Sequence, residues 1–206
     1  MNDKKTNNVL LLNSSAKLTG SISRKLAAQV VANLEKHGKA DSVVERDLAA
    51  GLPFVDENWV NANFTPADQR SDVQKQTLSL SDSLVDELMQ ADTLVLGVPI
   101  YNFGVPATFK AWVDMIARAG KTFQYTATGP EGLIADKKVY LVIASGGTPI
   151  GSGYDFASGY VKHALSFVGI TDVTIIDAAE VASKGIEAVL QSAEQQISEI
   201  DYALSA

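Results

Sequence analysis

The chain has 206 residues, 46% of them hydrophobic and 20% charged, which suits one domain, 1–206, with a sizeable core. Its net charge of −7 repels nucleic acid and anionic membrane at long range, so an anionic ligand must be held by local dipoles rather than a basic field. The absence of cysteine excludes disulfides, thiolate catalysis and cysteine-based zinc sites. Met1 to Asn8 is polar, without the apolar segment of a secretory signal, and no apolar run approaches membrane-spanning length. A cytoplasmic protein is expected.

In chain order, Val9–Leu12 is a short apolar strand, ended by Asn13, Ser14 and Ser15. Ser21 caps a helix whose apolar face reads Ile22, Leu26, Val30 and Leu34, with Gly38 as its stop. Ser42–Leu48 holds a second strand around Val43 and Val44. From Ala49 to Pro66 the pattern dissolves into a loop with a helical turn, bearing Phe54, Trp59 and Phe64. Leu80, Leu84, Val85 and Leu88 mark the next helix.

Leu94–Val98 reads as a strand buried on both faces, stopped by Pro99, which cannot donate to a sheet ladder. Pro106 suits the first turn of a helix carrying Phe109, Trp112, Val113 and Ile116. Thr122–Thr126 alternates like one arm of a ribbon, with Gly129-Pro130 as its turn. Lys138–Ala144 is a fourth strand, followed by Ser145-Gly146-Gly147-Thr148 and a helix containing Tyr160, Ala164 and Phe167. Val173–Ile176 is a fifth strand. One last helix runs from about Ser183 through Ile186, Val189, Ala193, Ile197 and Leu204.

Strands alternating with helices predict an α/β three-layer sandwich around a parallel sheet. Five strands fit the flavodoxin-like order 2-1-3-4-5, whose FMN site lies at the switch point beyond the carboxyl ends of the first and third strands. Three loops converge on that edge. The first offers Ser15, Ser21 and Ser23 around a helix N-terminus, where free N–H groups and hydroxyls hold a phosphate, with Lys17 or Arg24 to add charge. The same serines fit ordinary capping equally well. The second loop carries Tyr101, Asn102 and Phe103; the third has glycines that admit a flat ligand. Neither histidine supports a hydrolase, Ser152 lacks a nucleophile-elbow frame, and nothing clusters as a metal site.

Nearly end to end, the chain resembles the FMN-dependent NADH:quinone oxidoreductases of the bacterial azoreductase family. The resemblance is carried by Pro99-Ile100-Tyr101-Asn102-Phe103, Ala117-Arg118-Ala119-Gly120, Thr122-Phe123-Gln124-Tyr125-Thr126, Gly129-Pro130-Glu131-Gly132-Leu133 and Gly169-Ile170-Thr171-Asp172-Val173. It implies a homodimer with bound FMN, reduced by NADH and reoxidised in ping-pong fashion by quinones or azo compounds. It places the FMN phosphate at Ser15, Ser21, Ile22 and Ser23. The isoalloxazine falls against Pro99, Ile100, Tyr101, Asn102 and Phe103, with Ala144, Ser145, Gly146 and Gly147 closing the other side. No protein acid or base is assigned.

The resemblance also points to Phe123 and Tyr125 as a roof over the substrate pocket, although packing of the ribbon explains them too. It puts Tyr160 and Ala164 on the pocket wall, with Ala164 where an aromatic is common. Two departures stand out. Ile22 replaces a side-chain amide, and Ser145 replaces an arginine, which removes a charge near the ring. An FMN-binding electron carrier or redox sensor without small-molecule turnover is the alternative reading.

Overall fold

In the computed structural model, which describes residues 6–200, the strands β1 (Asn8–Asn13), β2 (Ser42–Asp47), β3 (Thr93–Pro99), β6 (Lys138–Ala144) and β7 (Asp172–Ala178) form one sheet. Their order is β2-β1-β3-β6-β7, every pairing parallel, which is the expected flavodoxin-like order with the ribbon strands left out of the count. The ribbon is separate: β4 (Phe123–Thr126) pairs antiparallel with β5 (Gly129–Gly132). Met1 to Lys5, and Leu204 of the predicted last helix, lie outside the described residues.

The central strands bury both faces, and their side chains alternate between two cores. Leu94, Leu96, Val98, Val139, Leu141 and Ile143 point one way. Against them pack α3 (Asp72–Gln90), α4 (Ala107–Ile116) and α5 (Ser158–Phe167), through Leu84, Val85, Leu88, Phe109, Trp112, Val161 and Leu165. Val95, Tyr140, Val142 and Ala144 point the other way. They meet α1 (Ile22–Lys36) and α7 (Ile186–Ser198) through Leu26, Val30, Leu34, Val189, Ala193 and Ile197. This division puts the N-terminus of α1 at the carboxyl edge of the sheet.

Three expectations about local structure are corrected. Within 49–66 lies a full helix, α2 (Glu57–Phe64), capped by Asp56, which accepts from the Trp59 N–H at 2.8 Å. It folds because Trp59 and Ala62 bury against Leu78 of α3, a tertiary cause that its asparagine-rich sequence hides. Gly129-Pro130 is not the ribbon's turn: Gly129 pairs with Thr126 and Pro130 with Tyr125, so the chain reverses at Ala127-Thr128. The last helix is interrupted, α6 (Val181–Lys184) ending at Gly185, whose φ of 82° stops it before α7 starts.

The segment Ala117-Arg118-Ala119-Gly120 has a structural explanation. Arg118 is 1% exposed, and its Nη1 donates to Ser81 Oγ at 2.5 Å and to Asp82 at 3.0 Å. Its backbone N–H donates to Thr122 Oγ1, which in turn donates to the Ile116 carbonyl. Burial pulls the Arg118 guanidinium below its ordinary value, while Asp82 opposes that shift. One buried cation thus joins α3, the end of α4 and the start of the ribbon.

Candidate active site

The carboxyl ends of β1, β3 and β6 open onto a cleft of ≈ 230 Å³. Its walls are Ser15, Lys17, Gly20, Ser21, Ile22, Ser23, Pro99, Ile100, Tyr101, Ala144, Ser145, Gly146 and Val181. The structure therefore gathers Ser15, Ser21, Ile22, Ser23, Pro99, Ile100, Tyr101, Ala144, Ser145 and Gly146 in one place. Asn102, Phe103 and Gly147 belong to the same loops but do not line the cleft.

The first wall is a helix start. Ser21 accepts from the Arg24 N–H as the N-cap of α1, and Ser21 Oγ lies 3.3 Å from Ser23 Oγ. The first turn of α1 has no acidic residue to neutralise the positive end of its dipole. Arg24 does not supply a free charge here, contrary to one of the two expectations. Its Nη1 and Nη2 donate to both carboxylate oxygens of Asp47 (2.9 and 2.6 Å), and Nη2 also donates to the Ser15 carbonyl at 2.7 Å. Hydrogen bonding from Arg24 holds the Asp47 carboxyl below the usual carboxylate range. Arg24 thus fixes the shape of the serine loop, and Lys17 is the cation on the cleft wall.

The second wall is a reversal at Tyr101–Gly104. Tyr101 and Gly104 exchange N–H···O bonds of 3.0 and 3.1 Å around Asn102 and Phe103, whose φ values are 49° and 73°. Both central residues are at positive φ, as type I′ turns require, yet neither is glycine. Such backbone costs on the order of 1–3 kcal/mol per residue and marks functional loops. The Tyr101 N–H is spent on Gly104, so it is not a donor for a ligand. The Tyr101 hydroxyl lies 3.3 Å from Ser15 Oγ and accepts from the Ala16 N–H at 3.2 Å, which joins the first two walls.

The third wall is held from behind. Ser145 Oγ donates to the Thr148 carbonyl at 2.6 Å and accepts from the Glu180 N–H at 3.1 Å. The Ser145 and Gly146 carbonyls accept from Val181 and Ala182. Gly146 and Gly147 are exposed, and apart from their flanking residues no atom lies within 4 Å of where a Cβ would stand on either. Gly20 and Val181 are the wall residues that sequence reasoning missed. For Val181 the signal was weak but present, because the segment after the fifth strand also emerges at this edge.

The four residues assigned to the substrate lie elsewhere in the single chain. Phe123 is buried, with its ring 4.6 Å from Phe167 and 5.4 Å from the exposed Tyr125. Tyr160 and Ala164 sit half-buried on α5. Burial, with Asp114 nearby, pushes the Tyr160 phenol up to about 12. None of the four lines the cleft.

The site suits FMN in three physical respects. The Ser21 and Ser23 hydroxyls and a helix N-terminus without an acidic first turn make one end fit for a phosphate. Pro99, Ile100 and Ala144 make the other end apolar and fit for a flat ring. Gly146, with no side chain, leaves that end open.

Comparisons with known proteins agree. Residues 7–200 match the family model described as a flavodoxin-like fold. An FMN-dependent NADH:quinone oxidoreductase 1 of Jannaschia sp. (strain CCS1) is 56% identical over 170 residues, which cover 82% of this chain and 86% of that protein. Its namesake from Hahella chejuensis is 50% identical over 189 residues, 92% of each. The crystal structure of an azoreductase from Bacillus anthracis str. Sterne superposes with a TM-score of 0.84 at 28% identity, over 94% of this chain and 98% of that one. The chain belongs to the flavodoxin-like family of FMN-dependent NADH:quinone oxidoreductases.

Proposed function

We propose that this chain binds FMN in the cleft and uses it to pass two electrons from NADH to quinones and to aromatic azo compounds. The observation that carries the reading is the meeting, in one cleft, of a serine-lined helix N-terminus with a glycine-opened slot between two strand ends. Ser15, Ser21 and Ser23 hold the phosphate, helped by the N-terminus of α1 and by Lys17. Pro99, Ile100, Tyr101, Ala144, Ser145 and Gly146 flank the ring, with Asn102, Phe103 and Gly147 at its margin. When bound, FMN supplies the hydride chemistry, while these residues supply orientation and electrostatics. NADH and the acceptor occupy the same open face in turn. Initial-rate plots at several acceptor concentrations should therefore be parallel, and intersecting lines would contradict a shared face. A cytoplasmic setting fits this donor.

We also infer a homodimer. Phe54 (75% exposed), just before α2, and Phe64 (80%), its last residue, leave two large apolar rings in solvent. Light scattering should give about twice the chain mass.

The phosphate end is tested by Ser23→Ala. Ser23 is buried and its hydroxyl meets Ser21. Losing one hydrogen bond to a charged group costs about 1.5–3 kcal/mol, roughly tenfold to a hundredfold in affinity. Titration of apoprotein with FMN reads this directly, and an unchanged Kd would remove Ser23 from the site.

A further inference from the structure

The loop between β6 and α5 carries two exposed aromatic residues that neither the fold nor the cleft accounts for. Tyr154 is 48% exposed and Phe156 65%. Both are tied to the Tyr101–Gly104 turn. The Phe156 N–H donates to the Phe103 carbonyl at 3.0 Å, and the Tyr154 ring meets the Phe103 ring edge-on at 6.3 Å. Phe103 is itself 54% exposed and holds φ at 73°, so a strained backbone presents an apolar ring to solvent.

This loop is a built structure. The Asp155 carboxylate accepts from the N–H groups of Gly151 (2.8 Å), Ala157 (3.0 Å) and Ser158 (2.9 Å), and from the Ser158 hydroxyl. The Asp155 N–H donates to the Ser152 carbonyl at 3.0 Å. Burial alone would raise the Asp155 carboxyl, but those hydrogen bonds outweigh it and hold the group below the usual carboxylate range. The anchors of Tyr154 and Phe156 are therefore fixed before any ligand arrives, and a fixed aromatic surface binds at low entropic cost.

We propose that Tyr154, set by its contact with Phe103, is a specificity-determining residue for the electron acceptor, forming an aromatic wall that favours fused-ring quinones over single-ring ones. The inference rests on the quinone-reducing reading of the cleft. The wall belongs beside the ring slot because Phe103 and the slot residue Tyr101 share one tight turn. A second ring on the acceptor gains edge-to-face contact with Tyr154, whereas a benzoquinone ends short of it. Binding that discriminates in this way changes kcat/KM ratios rather than the chemistry.

The test uses flavin-loaded Tyr154→Ala and Tyr154→Phe, with kcat/KM measured for a naphthoquinone and a benzoquinone. The ratio of naphthoquinone to benzoquinone should fall about tenfold in the alanine variant and stay near wild type in the phenylalanine variant, which keeps the ring. FMN content should match wild type in both. An unchanged ratio in Tyr154→Ala, or an equal loss for both quinones, would overturn the proposal. So would weakened dimerisation on sedimentation with the ratio intact, since that result makes the wall a partner surface. Wild-type protein that folds but never takes up FMN would overturn the underlying reading, before any variant is compared.

Discussion

Gly146→Val should keep the fold and lose the flavin. Apart from the two flanking residues, no atom lies within 4 Å of the Cβ position at Gly146, so the first carbon of the new side chain is unobstructed and the fold should accept it. A surface change of this kind moves stability by no more than about 0.5 kcal/mol, equivalent to roughly 2 °C in melting temperature for a chain of this size. Yet Gly146 lines the cleft, and its open space is where the proposed ring lies. Forcing extra carbons into a packed contact costs about 1–3 kcal/mol, which falls on FMN binding as a roughly fivefold to hundredfold loss of affinity. Flavin absorbance per chain in the purified variant, read beside its thermal melt, separates the two effects. Full flavin loading would mean that the ring lies elsewhere.

Gly132→Ala should do the reverse and damage the fold itself. A Cβ on Gly132 would stand 2.1 Å from Gly169 N, 2.3 Å from the Val168 carbonyl carbon and 2.5 Å from Gly169 Cα. All three are backbone atoms. Gly169 has φ of 104° and is equally confined, its own Cβ position lying 2.5 Å from the Ile134 carbonyl oxygen. The chain on either side is fixed: Ile134 donates to the Val168 carbonyl at 2.9 Å, and both residues are in the core. The end of β5 and the turn after α5 therefore touch backbone to backbone, and the ribbon has to lift away to admit a methyl group. That displacement also breaks the Phe123–Phe167 contact. The cost should exceed the ~1–3 kcal/mol typical of overpacking, a fall in melting temperature of more than about 6 °C. An unchanged melting temperature would show that the ribbon docks loosely.

These two glycines mark how far the sequence could be read. The sheet was legible because Leu94–Val98 and Lys138–Ala144 are apolar runs that only a doubly covered strand explains. The cleft was legible because the rule of carboxyl-end crevices names the loops once the strands are placed. What stayed hidden depends on distant partners. Arg24 offers itself as a phosphate ligand until Asp47, 23 residues on, is seen to hold it. Asn102 suits a positive φ, but Phe103 beside it runs against propensity, and no local pattern announces a type I′ turn with Phe in it. Gly129-Pro130 looked like a turn because glycine and proline usually punctuate, whereas here Pro130 sits in a two-stranded ribbon with a free edge. Helix α2 depends on Trp59 finding Leu78. Gly132 and Gly169 are 37 positions apart, and only the fold reveals that neither can carry a side chain.

The central claim is that this cleft binds FMN and that NADH reduces it there. The most direct measurement is the visible spectrum of the purified, FMN-reconstituted protein before and after NADH is added without oxygen. The account predicts close to one flavin per chain, bleached in a single two-electron step and restored by a quinone. A folded protein that retains no flavin, or a bound flavin that NADH leaves oxidised, would contradict it.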